Sequence, residues 1–160
     1  MKHILSITVH NRPGVMSQVS GLFTRRAFNI DSIAVGTTED PAISSMTIVM
    51  KGDETELAQF ESQMLKLADV IQVRVIPFHS SVTREIMLVR VKAGIQDRAD
   101  VLAIVDVFEG NILEIAAESI LIEVFGNNRR IKSMIQLLNQ YGIIDMARTG
   151  QIALAFENDD

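Results

Sequence analysis

The sequence predicts an α+β fold made of two small units in tandem. Three observations carry this. Short runs alternate apolar and polar residues with the period of a half-buried strand, the segments between them repeat apolar residues at helical spacing, and the whole order of elements is read twice along the chain. A chain of 160 residues is long enough for one compact domain or two small ones.

In the first unit, Leu5, Ile7 and Val9 alternate with Ser6, Thr8 and His10, which reads as a strand. Asn11-Arg12-Pro13-Gly14 breaks the pattern. Asn11 is a good helix N-cap, and Pro13 suits a first helical turn because its missing N–H would be unpaired there. Val15, Val19, Leu22 and Phe23 follow at helical spacing, so a helix runs to about Arg26. Ile30 to Thr37 reads as a second strand, and Thr38-Glu39-Asp40-Pro41 as a turn. Met46, Ile48 and Met50 mark a third strand, Leu57, Phe60, Met64 and Leu67 one face of a second helix, and Ile71, Val73 and Val75 a fourth strand ending at Pro77. Strand, helix, strand, strand, helix, strand is the split βαβ arrangement of ferredoxin-like domains, with both helices on one face of an antiparallel sheet.

The polar stretch 78–83 reads as a linker, and the same grammar restarts after it. Met87, Val89 and Val91 form a strand, and Val101, Leu102, Val105 and Phe108 a helix. Ile112 to Ala117 and Ile120 to Phe125 are two strands around a Glu118-Ser119 turn, and Ile131, Met134, Ile135 and Leu138 line a second helix. Gly142 stands where a helix C-cap glycine belongs. Ile143 to Phe156 reads as one strand or a hairpin, and Glu157 to Asp160 as a solvated tail. The expected organisation is therefore 1–77, a linker 78–83, and 84–160, two ferredoxin-like βαββαβ domains. Helices cover only one face of each sheet. Val35, Val49 and Leu88 make the opposite faces apolar, and an open apolar face marks an interface, so a homodimer, another partner, or both are expected.

Composition removes several function classes. A net charge of −5 argues against nucleic acid and anionic membrane as partners, and Arg129-Arg130 is too small a basic patch to reverse that. With no Cys there is no disulfide framework, thiolate metal site or cysteine nucleophile. The N-terminus has no signal-peptide core, and no apolar run approaches the roughly 20 residues of a membrane span, so a cytoplasmic protein is expected. His3, His10 and His79 have no metal-ligand spacing, and the Gly14 to Gly21 spacing lacks the Lys-Ser/Thr of a phosphate loop. Glu54, Glu56 and Glu61, like Asp97, Asp100 and Asp106, read as solvated helix faces. No catalytic or metal-binding set is found.

One place suits a ligand. Asn11-Arg12-Pro13-Gly14-Val15 joins a strand end to a helix start, where unpaired N–H groups and a partial positive charge favour a carboxylate. Gly14 lets a small anion approach the backbone. Asn29-Ile30 offers an amide beside an aliphatic side chain. Together these meet the needs of a free aliphatic amino acid, although a capped helix, a shaped turn and a polar loop account for the same residues without any ligand.

At these residues the sequence resembles a known family. Asn11-Arg12-Pro13-Gly14-Val15, Gly21-Leu22-Phe23, Arg26, Phe28-Asn29-Ile30-Asp31-Ser32-Ile33, Asp40-Pro41, Ser44 and Met46-Thr47-Ile48 look like the N-terminal ACT domain of the acetolactate synthase (acetohydroxyacid synthase) small subunit. Arg84-Glu85-Ile86-Met87-Leu88-Val89, Tyr141-Gly142-Ile143 and Ala147-Arg148-Thr149-Gly150 resemble that family's second domain. Asn-x-x-Gly alone is common to many ACT domains; the second-domain motifs make the match specific. Ser45 and Phe125 depart from it, standing where the family usually carries Arg and Thr.

The resemblance implies a regulatory subunit with no active site of its own. It implies activation of a catalytic large subunit, which carries thiamine diphosphate, magnesium and FAD, and feedback inhibition by a branched-chain amino acid, most often valine. The effector would lie between the ACT domains of a homodimer. Asn11 and Gly14 of one chain would hold its carboxylate end, with Pro13 and Val15 also part of the site, and Asn29 and Ile30 of the other its ammonium and side chain. The second domain would contribute to activation. A stand-alone amino-acid sensor with a different partner is the alternative.

Overall fold

The computed structural model describes residues 1–157, so the expected tail lies, from Asn158 on, outside the described residues. The elements follow in order as β1 (Lys2–His10), α1 (Val15–Arg26), β2 (Asn29–Thr37), β3 (Ile43–Lys51), α2 (Glu54–Leu65), β4 (Val70–Ile76), β5 (Ser81–Lys92), α3 (Arg98–Val107), β6 (Asn111–Ile115), β7 (Ser119–Gly126), α4 (Asn128–Leu138), β8 (Ile143–Arg148) and β9 (Ile152–Ala155). The first sheet has the order β2-β3-β1-β4 and the second β6-β7-β5-β8, with β9 paired to β5. Adjacent strands along both paths are antiparallel. Both units therefore have the ferredoxin-like βαββαβ arrangement.

In the first unit Leu5, Ile7 and Val9 of β1 and Met46, Ile48 and Met50 of β3 present the buried side of the sheet. Val15, Val19 and Leu22 of α1 and Leu57, Phe60 and Met64 of α2 close over it. Phe60 is fully buried; Phe23 stacks on it at 5.6 Å and Phe28 meets it edge-on at 5.0 Å. Helix α2 begins with a capping box in which Asp53 accepts from the Glu56 N–H and Glu56 accepts from the Asp53 N–H, both at 2.8 Å. Glu56 thus holds a helix end as well as lying on a wet face.

The C-cap of α1 is Ala27 at φ 52°, the left-handed region that favours glycine. Its Cβ crowds the following carbonyl there, at a cost of about 1–2 kcal/mol, against the chain entropy of about 0.4–1 kcal/mol that glycine adds to the unfolded state. Ala27→Gly is therefore expected to stabilise the first unit by roughly 0.5–1 kcal/mol, read as a raised denaturation midpoint at unchanged slope.

The second unit repeats the plan. Met87, Val89 and Val91 of β5 and Ile120, Ile122 and Val124 of β7 lie under Val101 and Val105 of α3 and Ile131, Met134 and Leu138 of α4. Asn127 caps α4 by accepting from the Arg130 N–H at 2.9 Å. Glu85 is buried and forms an ion pair with Nε of Arg148, joining β5 to the end of β8. Gly142, at φ 103°, lies in the turn before β8 rather than at the helix cap, which is Asn139.

Two expectations are corrected. The compact units are Met1–Val82 together with the described chain from Gln151 onward, and Thr83–Gly150. The last strand groups with the first unit because Ala153 of β9 packs with Ile4, Val49 and Ile76, and the Phe156 N–H donates to the Ser80 carbonyl at 2.8 Å. The stretch read as a linker is a 3₁₀ turn, Phe78–Ser80, running directly into β5. The apolar open face is also reduced. Val49 is buried by this cluster, and Val35 pairs with Met46 on the helix side, half exposed because β2 is an edge strand. Of the three residues expected on open faces, Leu88 alone is exposed on the face turned away from the helices.

Candidate functional site

Strand β1 delivers the chain to the start of α1 through Asn11, Arg12, Pro13 and Gly14. Asn11 does not cap the helix. Its N–H donates to the Ala42 carbonyl at 2.7 Å and its Nδ2 to the Pro41 carbonyl at 3.0 Å, so the side chain ties this turn to the β2–β3 loop. The N-cap is Gly14, at φ 89°, with no side-chain cap and no acidic residue in the first turn. Pro13 accordingly precedes the helix instead of opening it. A left-handed N-cap is a conformation glycine adopts without strain, and it supplies no oxygen to the N–H groups that follow. Those of Met16 and Ser17 are left for solvent or a ligand, at the positive end of the helix dipole.

The surroundings suit an incoming anion. Gly14 is exposed, and a Cβ placed on it would meet nothing within 4 Å. Val15 turns inward and is buried, which anchors the first turn to the core. Arg12 Nη1 lies 3.3 Å from Oδ1 of Asp69 and steadies the loop from the β4 side.

Asn29 and Ile30 open β2, where Asn29 is opposite Lys51 and Ile30 opposite Met50. On β3, Lys51 is eight residues from Ile43, which is opposite His10. At about 3.3 Å per residue, the Asn29 end lies about 26 Å along the strands from the Asn11 end. One chain therefore brings Asn11, Pro13, Gly14 and Val15 together and keeps Asn29 and Ile30 apart from them.

Beside Asn29 the register of β2 slips between Ile30 and Ser32, and the bulged residue is Asp31. It lies 3.1 Å from Nζ of Lys2 and 3.6 Å from Nζ of Lys51, bridging two lysines that face each other across β1 and β3. Burial pushes the Asp31 carboxyl up, but the hydrogen bonds and charges of Lys2 and Lys51 outweigh it and hold the group below its ordinary value. A carboxyl lowered in the folded state contributes stability above its unfolded pKa of about 3.9, and that contribution fades as pH falls through the lower folded value. The expected result is that wild type loses more stability than Asp31→Asn between pH 5 and the acid limit, followed by urea titration at each pH.

Among the described residues, no group of His, Asp and Glu could hold a metal ion, and no helix is long and apolar enough to cross a membrane. His3 is buried with Nε2 3.0 Å from the Gly52 carbonyl, a structural contact. The Asp31 bridge had no signal in the sequence, because it depends on a register and a bulge. The role of the β2–β3 loop in holding Asn11 was visible only as the Asp40-Pro41 turn.

Residues 5–72 match the profile of the AHAS small subunit-like ACT domain, and residues 84–157 that of the small subunit of acetolactate synthase. The chain is 42% identical over 158 residues to the probable acetolactate synthase small subunit of Archaeoglobus fulgidus, covering 99% of each. The chain belongs to the acetolactate synthase small-subunit family. Its relative in Bacillus subtilis, the acetolactate synthase small subunit, is 38% identical over 156 residues, covering 97% of this chain and 91% of that one. The crystal structure of the acetolactate synthase small subunit from Thermotoga maritima superposes with a TM-score of 0.92 at 38% identity, covering 99% of both chains. Membership of the small-subunit family rests on both halves, since the second match falls on the residues from β5 to β9.

Proposed function

We propose that this chain is the regulatory subunit of acetolactate synthase, with no active site of its own. It binds a branched-chain amino acid, valine in the first place, between two copies of its first unit. It raises the activity of a catalytic large subunit, which carries thiamine diphosphate, magnesium and FAD, and makes that activity sensitive to the effector. The second unit contributes to activation.

The observation that carries this reading is the placement of the two half-sites. They lie at opposite ends of one sheet, and β2, which bears Asn29 and Ile30, is an edge strand nine residues long. From Ser32 to Thr37 it has no charged residue and no Pro, the usual means of blocking an edge. A two-fold axis that pairs β2 with its own copy must set the two strands antiparallel. Since β1 and β2 run in the same direction on either side of β3, that pairing carries Asn29 and Ile30 of one chain to the end where Asn11 and Gly14 of the other lie. The uncapped helix start then faces the carboxylate, the Asn29 amide the ammonium, and Ile30 the side chain.

The test is reconstitution with the large subunit, measuring acetolactate formation with and without L-valine, L-leucine and L-isoleucine. Stimulation by this chain together with inhibition by an L-branched amino acid supports the reading. Stimulation with no response to any of the three removes the effector site, and no stimulation removes the partnership.

A further inference from the structure

On the second unit, the sheet face turned away from the helices carries a groove that the family's first-unit site does not use. Leu88 and Arg90 alternate with the buried Met87, Val89 and Val91 of β5 and so point to this face. A depression of about 200 Å³ opens there, lined by Leu88, Arg90, Leu121, Asp145, Met146 and Ala147. That is below the roughly 300–1,000 Å³ of pockets for drug-sized ligands, so its occupant is small.

The charges in the groove are arranged with a gap. Arg90 and Asp145 stand directly opposite each other on β5 and β8, a position from which opposite charges ordinarily pair. They do not. Nη1 of Arg90 is drawn the other way, to Oε1 of Glu114 at 2.8 Å and Oγ of Ser119 at 3.0 Å. Asp145 has no ion pair among the described residues, and its Oδ1 accepts the Met146 N–H at 2.9 Å. The register of β8 slips beside it, between the residues opposite Arg90 and Val91, which holds Asp145 at an irregular point of the strand. The result is a guanidinium and a carboxylate side by side on β5 and β8, with Leu88 and Ala147 opposite each other further along the same strands and Leu121 across from Arg90 on β7.

A small zwitterion with an aliphatic side chain completes that arrangement. Arg90 keeps N–H donors beyond those at Nη1 for a carboxylate, Asp145 accepts an ammonium, and the leucines give the side chain apolar contact. Arg90, Glu114 and Asp145 together carry one net negative charge, which disfavours acidic amino acids and phosphorylated metabolites. We propose that this groove is a second amino-acid site, distinct from the one at Gly14, that takes an aliphatic α-amino acid with its carboxylate on Arg90 and its ammonium on Asp145.

The experiment is calorimetric titration of the full chain with L-leucine and L-valine, using wild type, Gly14→Asp, Asp145→Asn and the double variant, with the methyl resonance of Ala147, opposite Leu88 on the groove face, followed in parallel. Asp145 is exposed and makes no core contact, so its amide variant should fold. The expected result is two molecules bound per wild-type chain, one in each single variant and none in the double. The Ala147 methyl should shift in Gly14→Asp and stay still in Asp145→Asn, with affinity at this site lowered at least tenfold by the amide. A single molecule per chain, lost in Gly14→Asp and kept in Asp145→Asn, overturns this inference and leaves the proposed function standing. A single molecule kept in Gly14→Asp and lost in Asp145→Asn does the reverse. No binding to wild type overturns both.

Discussion

Gly14→Asp is expected to abolish the response to effector and to leave activation of the large subunit intact. The position has three properties that separate these effects. Its φ of 89° is left-handed, so any side chain adds strain, about 1–2 kcal/mol. Its Cβ would meet nothing within 4 Å, so the side chain itself causes no clash within the chain. It is the N-cap of a helix with no acidic group in its first turn, so a carboxylate there gains from the helix dipole and offsets part of the strain. The variant chain should therefore fold. What it loses is the vacancy: its own carboxylate occupies the place proposed for the ligand's. Two like charges about 4 Å apart repel by roughly 1 kcal/mol in water and about 4 kcal/mol at an effective dielectric of 20, which corresponds to one to three orders of magnitude in affinity. Gly14→Ala is the control, because it carries the strain without the charge. At the first-unit site, calorimetry with L-valine should show Gly14→Ala weakened less than tenfold and Gly14→Asp beyond detection, leaving in the latter only the molecule taken by the second-unit groove. Equal losses in the two variants would mean that backbone geometry and not charge decides binding, and a normal response in Gly14→Asp would remove Gly14 from the site.

The contrast between Gly14 and Asn11 shows what could be read before the structure and what could not. The alternation of Leu5, Ile7 and Val9 and the spacing of Val15, Val19 and Leu22 report local periods, and local periods survive into the fold unchanged. The anion-ready turn was legible for the same reason, since Gly after Pro at a strand-to-helix junction is itself a local signal. The identity of the cap was not. Asn11 has the side chain of an N-cap, but a carbonyl in the β2–β3 loop, 30 residues away, competes for its amide and wins. Long-range geometry has no sequence period. That is also why Asp31 between Lys2 and Lys51, the burial of Val49 under Ala153, and the Glu85–Arg148 pair emerged only with the strand registers. The resemblance had marked Arg84-Glu85 and Ala147-Arg148 as motif residues without a reason; the buried carboxylate supplies one, since removing its arginine would strand a charge out of water.

Val35→Lys is expected to convert the proposed dimer to monomers and to remove the effector binding proposed at Gly14 with it, leaving the fold of the chain in place. Val35 lies on the edge strand β2, opposite Met46 on the helix side, and is 47% exposed in the single chain. A long charged side chain can reach solvent from such a position, so the cost to the isolated unit should stay near 0.5 kcal/mol. Across a two-fold axis the same substitution acts twice, placing a lysine from each chain on the shared edge. Charged side chains, lysine above all, are the device by which edge strands resist pairing. Because the proposed site brings Asn29 and Ile30 to Gly14 only through a second copy, loss of pairing and loss of binding there should occur together. Sedimentation velocity on wild type and variant, each with and without L-valine, decides the matter. Wild type should sediment as a dimer and Val35→Lys as a monomer that has lost the molecule bound at Gly14 and keeps only the one in the second-unit groove. A monomeric variant that still bound two molecules of valine per chain at wild-type affinity would place the whole effector site within one chain. A variant that stayed dimeric and still bound valine would show that the copies meet on a surface other than β2.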